Sequence, residues 1–305
     1  MGEISIDADN PIPGRAIDLD AGRRAFLRTV GLGAVGAAAL SSGLGVPTEA
    51  HAQSLTDADI LNFALNLEYL EAEFYLRAVR GRGLNNADIT GTGSLGSVAG
   101  GREVTFRTRA IREFAIEIAR DEEAHVQFLR SALGSARVAR PAIDLAFSFT
   151  AAARAAGLIR ANQRFDPYAN ENNFLLAAFI FEDVGVTAYK GAARLISNKD
   201  FLEAAAGILA VEAYHAGLIR TNLYLRGFFR QASLISNARD SLDGPQNTDQ
   251  GVRGPRGAIG NIVPADENAI AFSRTPRQVL NIVYLAEDAS TGGFFPAGVN
   301  GTINR

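Results

Sequence analysis

One stretch of this chain is written twice. Ile118, Glu122, His125, Leu129, Arg130 and Leu133 recur, position for position, as Ile208, Glu212, His215, Ile219, Arg220 and Leu223. The spacing is helical, because residues three apart on an α-helix lie about 60° apart around the axis and residues seven apart only about 20°. Each Glu-x-x-His pair therefore shares one face with the aliphatic residues around it. A second, shorter match pairs Glu68 and Tyr75 with Glu182 and Tyr189, again seven residues apart. The repeated unit is a pair of helices, and using it twice predicts an all-α, four-helix bundle.

The placement of the acids points to chemistry. Around Glu68, the same face carries Leu61, Ala64, Ala72, Tyr75 and Val79, with Asp59, Asn66, Glu73 and Arg77 on the opposite side. Glu122 falls among Ile111, Ala115, Ile118, Val126 and Leu129, and Glu182 and Glu212 repeat the pattern. Burying one unpaired carboxylate already costs several kcal/mol, so four facing one core need a positive counterpart. Arg130 and Arg220 point about 80° away from the glutamates, toward the stripe edge, and are poor counterparts. Two divalent cations neutralise four glutamates, and neutral imidazoles complete the coordination. Carboxylates mixed with imidazole suit iron or manganese rather than copper or structural zinc.

A lone Glu-x-x-His is common on solvated helix faces. Here both histidines after residue 52 carry a glutamate three positions earlier, a coincidence of about one in four hundred if glutamate is about one residue in twenty. The predicted metal ligands are Glu68, Glu122, His125, Glu182, Glu212 and His215. Tyr75 and Tyr189 are expected either to pack in the core or to hydrogen-bond a ligand carboxylate. Glu71, about 60° from Glu68, is an alternative ligand or a nearby acid. Asp121, Glu123 and Asp183 are expected at stripe edges, solvated or paired with arginine.

Along the chain, Thr56 caps a first helix that runs to about Arg80 before Gly81. Further helices are expected near 105–134, 171–196 and 199–229, with a Gly/Ser-rich loop at 91–101. A long crossover from 141 to 167, carrying a short helix near 151–159, joins helices two and three. From Ser241 the composition turns to Gly, Pro, Asn and Asp, predicting an extended segment with one short helix capped by Thr275, Pro276 and Gln278. The expected division is a signal over 1–52, the bundle over 53–230 and an extended C-terminal segment packed on it over 231–305. Helix three is apolar almost all round from Phe174 to Val186, so the tail or another subunit must cover it. A homo-oligomer through that helix is one expectation.

Composition narrows the rest. With no cysteine, disulfides, thiolate metal sites and iron–sulfur clusters are excluded. A net charge of −3 from 30 basic and 33 acidic residues gives no footprint for nucleic acid. At the N-terminus, Arg23-Arg24-Ala25-Phe26-Leu27-Arg28 precedes an apolar run from Val30 to Leu44 and then Ala50-His51-Ala52. The run is about 15 residues, shorter than the roughly 20 a membrane span needs, so a cleaved signal is expected and no stable anchor after cleavage. The arginine pair resembles the twin-arginine export signal of bacteria, which implies a periplasmic protein exported after folding, with its cofactor already loaded.

With these residues in hand, the chain resembles the ferritin-like superfamily, and most closely the desiccation-related ferritin-like proteins of plants and bacteria. The resemblance runs from about Leu55 to the C-terminus. It is carried by the segment from Asn62 to Ala72, by Pro276-Arg277-Gln278-Val279-Leu280 and by Gly292-Gly293-Phe294-Phe295-Pro296. It implies a bundle with one long crossover and a di-metal site on the six residues named above, none of them missing. Glu68 and Glu182 are then terminal ligands, Glu122 and Glu212 bridge, and each histidine caps one ion. Because the superfamily spans storage cages, peroxidases, catalases and oxygenases, the fold does not choose the reaction. Three functions are expected from different classes: a di-metal protein reacting with oxygen or peroxide, a structural stress protein, and a metal-sequestering protein without turnover.

Overall fold

The computed structural model describes residues 55–254 and 259–305, so the proposed export signal lies outside the described residues. Helix α1 (Asp57–Arg80) opens on a capping box between Thr56 and Asp59 and ends at Gly81, whose φ of 69° is left-handed. Helix α2 (Arg109–Leu133) follows a long loop. The crossover carries α3 (Ser148–Ala155), and α4 (Glu171–Ala193) starts on Asn170, whose side chain caps two backbone N–H groups. Asn198 likewise caps α5 (Lys199–Leu225). Helix α1 packs along α2 and α4 along α5, so the duplicated unit is a helix pair and the two pairs make the bundle. Two short strands, β1 (Val98–Ala99) and β2 (Ile143–Asp144), pair in parallel and tie the loop after α1 to the crossover.

Beyond α5 the chain departs from the expectation. The helix stops at Leu225 instead of continuing to 229, and after Gly227 (φ 74°) it resumes as α6 (Phe229–Asp240). The tail therefore holds two helices, α6 and α7 (Pro276–Tyr284), where one was expected. Only Ala232, Ile235, Ser236 and Arg239 of α6 are buried, a narrow stripe in a polar stretch and a weak periodic signal.

The tail decides what covers α4. Helices α6 and α7 both pack on it, and Phe294 stands edge-on to Phe149 and Phe181. Arg239 reaches the carbonyls of Phe179 and Ile180 as well as Asp183 and Asp249. Arg274 pairs with Asp243 and Asp249, and Arg220 with Asp183, so three buried guanidiniums meet three buried aspartates at the seam. Gly191 permits this closeness, since a Cβ there would run into the Arg274 carbonyl. The chain itself thus buries the apolar third helix, which removes the basis for an oligomer through that face.

The rear of α1 also differs from a solvated face. Glu73 is fully buried between Arg77 and Arg140, and Asn66 is buried while exchanging hydrogen bonds with the Asn300 backbone. Loop and tail segments from distant parts of the sequence cover a surface that local periodicity assigns to water.

Glu171, at the first position of α4, accepts from the backbone N–H groups of Arg107 and Thr108, the Thr108 hydroxyl and Arg226. Burial pushes its carboxyl up, but the Thr108 bonds and Arg226 outweigh this and hold it at about 2, against an ordinary 4.5. A depressed folded pKa stabilises the fold above the unfolded value and loses that contribution as pH falls from 4.5 toward 2. Glu171→Gln should therefore cost about 1–3 kcal/mol at neutral pH. Urea melts across pH should show the variant losing less stability than the parent below pH 4.5.

Candidate metal centre

The six predicted residues come from all four bundle helices and meet at one buried place. Glu68, Glu122, Glu182 and Glu212 are each no more than 3% exposed, and His125 and His215 are buried beside them. His125 Nδ1 lies 3.2 Å from Glu68 Oε2 and 3.7 Å from both Glu122 Oε2 and Glu212 Oε1. His215 Nδ1 lies 3.1 Å from Glu122 Oε1 and 3.6 Å from Glu182 Oε2. Glu122 thus turns one oxygen to each histidine. The ligating atoms fall into two compact groups, Glu68, Glu122, His125 and Glu212 in one, Glu182, Glu212 and His215 in the other, with Glu212 common to both.

These atoms stand within ion-pair reach of one another but out of hydrogen-bond alignment. Glu68 Oε2, both Glu122 oxygens, Glu182 Oε2, Glu212 Oε2 and both Nδ1 atoms are buried with no hydrogen-bond partner among the described residues. Buried polar atoms are almost always satisfied, so a cluster of orphans converging on one place fits a cation. The donor set, hard oxygen with imidazole, fits too.

Electrostatics agree. Burial pushes the Glu68 carboxyl up to about 7 and that of Glu182 to about 8, against the pull of the neighbouring histidines. Glu212 and Glu71 rise well above the carboxylate range through burial and the surrounding acids. For Glu122 burial acts in the same direction, but His125 and His215 outweigh it and hold the carboxyl below its usual range. Burial disfavours charge on both imidazoles, yet Glu68 carries His125 to about 11 and Glu182 carries His215 to about 10. Left to themselves these groups balance their charge with protons that a cation would replace.

The surrounding contacts orient the ligands. The Tyr75 hydroxyl of α1 donates to Glu182 Oε1 on α4, and Tyr189 of α4 donates to Glu68 Oε1 on α1, a crossed pair that follows the duplication. Asp121 holds His215 by Nε2 at 3.1 Å, leaving Nδ1 to face the glutamates. Sequence reasoning set Asp121 at a stripe edge and missed this contact, because its partner is on another helix. The available signal is that Asp precedes Glu122 where Val211 precedes Glu212. Glu123 pairs with Arg80, and Asp183 with Arg220 and Arg239. Arg130 and Arg220 stay outside the cluster, bonded to Tyr69 and loop carbonyls and to Asp183 and tail carbonyls respectively.

Four crossing helices with a buried carboxylate and imidazole cluster at their centre define the class of metal-binding helical bundles. The chain belongs to the ferritin-like domain family, whose match covers residues 56–225. It is 32% identical over 264 residues to the desiccation-related protein PCC13-62 of Craterostigma plantagineum, spanning 81% of this chain and 83% of that protein. It is 30% identical over 271 residues to the ferritin-like catalase Nec2 of Nesocodon mauritianus, spanning 82% of this chain and 85% of that one.

Proposed function

We propose that this chain is an exported, periplasmic di-metal protein, holding iron or manganese, that reacts with oxygen or peroxide in protection against stress such as drying. The observation that carries the reading is the set of orphaned oxygens and ring nitrogens on Glu68, Glu122, His125, Glu182, Glu212 and His215. A catalase and a desiccation-related protein among its relatives support the substrate class and the stress setting. Bound at that place, two redox-active ions supply the electrons and the Lewis acidity that attack on an O–O bond requires.

The residues have distinct tasks in this reading. Glu68, Glu122, Glu182 and Glu212 would hold the ions through their carboxylates, and His125 and His215 would each add an imidazole. Tyr75 and Tyr189 fix the rotamers of Glu182 and Glu68 through their unused oxygens. The aliphatic walls keep bulk water from the reacting atoms. The same six ligands would serve metal sequestration without turnover, and the relative named for desiccation favours a protective role.

Metal analysis of the full chain purified from a bacterial host, with peroxide loss followed on the same sample, tests the reading. About two ions per chain and repeated turnover are expected. Fewer than about one ion per chain would sink the di-metal reading, whereas uptake of aerobic Fe(II) that stops at a stoichiometric amount would establish sequestration instead. Lysines in place of Arg23 and Arg24 should retain the chain in the cytoplasm, and unchanged export would remove the twin-arginine route.

A further inference from the structure

The internal duplication is broken at one inward position. Glu68 and Glu182 are matched residues, and so are Tyr75 and Tyr189, but three residues after the first glutamate stands Glu71 and three after the second stands Gly185. Helical geometry turns both toward the centre. A Cβ on Gly185 would collide with Glu212 Oε2 and lie 3.5 Å from Glu71 Oε1, so the missing side chain leaves room that the two carboxyls share.

Glu71 is a fifth buried acid where two divalent ions balance only four. It is 7% exposed, and its Oε2 has no hydrogen-bond partner among the described residues. It falls in neither ligand group. Instead it lines a cavity of about 10 Å³ between α1, α4 and the tail, whose other walls include Leu67, Ile180, Val184, Gly185 and Phe294. That volume holds about one water molecule, so hydrogen peroxide, with two heavy atoms, enters only as the Glu71 side chain and the walls beside it move apart to about double the space. Glu71 is the one acidic side chain in a lining that is otherwise aliphatic, aromatic or glycine.

We propose that this cavity holds the small substrate beside the metal centre, that Glu71 positions hydrogen peroxide there by accepting a hydrogen bond from it, and that Gly185, lacking a side chain, lets Glu212 pack between the cavity and the other ligands. Peroxide fits the chemistry because it can donate to the carboxyl, which dioxygen cannot. The inference rests on the peroxide-reacting reading above and names the residue that gives it substrate affinity. Glu71 is a positioning residue here and is not a metal ligand.

The test compares Glu71→Leu, Glu71→Gln and the parent as full-length, metal-loaded chains. Metal per chain, melting temperature, the KM and kcat for peroxide, and the saturation of the peroxide-induced absorbance change are measured on each. Glu71→Leu should keep its metals and fold at least as stably, yet raise the KM and the half-saturation about tenfold, the loss of one good hydrogen bond, with kcat within about threefold. Glu71→Gln retains an acceptor and should stay within about threefold of the parent on every measure. Loss of metal in Glu71→Leu would make Glu71 a ligand and overturn the proposal, as would full metal with unmoved KM and half-saturation. A parent that holds metal and shows a saturable absorbance change without turnover would defeat the catalytic reading alone, with Glu71 still read from half-saturation. No turnover and no absorbance change would end both.

Discussion

Glu212→Gln should stabilise the metal-free protein and destabilise the metal-loaded one. Without cations Glu212 is surrounded by Glu122, Glu71, Glu68 and Glu182, and burial together with those acids keeps it protonated well above its usual pKa. Holding a proton at pH 7 on a group whose ordinary value is 4.5 costs at most about 3 kcal/mol, and a neutral amide of the same shape avoids that cost. A gain of about 2 kcal/mol corresponds to a melting temperature about 4–8 °C higher in the presence of a chelator. Metal reverses the order. Ligand binding stabilises a fold by about 2.7 kcal/mol at a hundredfold excess over Kd, and the amide removes the carboxylate common to both ligand groups.

The pH dependence has a definite sign. Glu68 and Glu182, raised to about 7 and about 8, and His125 and His215, raised to about 11 and about 10, all bind protons more tightly in the folded chain. Their contribution to stability is present at low pH and lost as pH rises through those values, so the chelated parent should melt higher at pH 5 than at pH 8. Metal ligation requires the deprotonated forms, so the increment from added metal should grow from pH 5 to pH 8. Scanning fluorimetry with chelator or Mn(II) at both pH values checks all four corners. A chelated protein more stable at pH 8, or no rise in Glu212→Gln, would show that the acids carry no such strain.

Arg239→Met should be the most destabilising single change outside the centre. Its guanidinium is fully enclosed, stacked 4.6 Å from the Phe179 ring centre and bonded to Asp183, Asp249 and two α4 carbonyls. Burial disfavours its charge, but Asp249 and Asp183 raise its pKa above the ordinary value. Asp183 keeps Arg220 and Asp249 keeps Arg274, but two guanidiniums then face three buried aspartates, and one uncompensated buried charge costs about 3–5 kcal/mol. The denaturation midpoint should fall accordingly, by about 10 °C in a thermal melt. Asp183 directly follows Glu182, so metal affinity should fall as well, though less than in Glu212→Gln. A change under about 1 kcal/mol would mean that the tail is held by apolar packing on α4 alone.

Much of the fold was legible because helix geometry is local. The capping box at Thr56, the stop at Gly81 and the cap at Thr275 each depend on residues within four positions, and the structure has them where the pattern predicts. The inward direction of Glu68, Glu122, Glu182 and Glu212 follows from the same 3.6-residue period. What escaped depended on pairing across distance. Glu73 looked solvated because the arginine that buries it, Arg140, is 67 residues away. Helix α6 went unread because only four of its positions are buried, against a tail that no spacing rule could dock.

Sequence by itself determined the two helix pairs, the six side chains that face inward and the crossed tyrosines' shared face, since all of these follow from positions along single helices. Tertiary structure alone decided that the centre is unequal on its two sides. Asp121 reaches His215 from another helix, where Val211 has no polar group to offer in the repeat. Glu71 leans into the room that Gly185 leaves, and Phe294 of the tail closes the cavity behind it. Such contacts depend on how far apart packed helices stand, a distance set by the whole core and the tail around it, and no period within one helix encodes it.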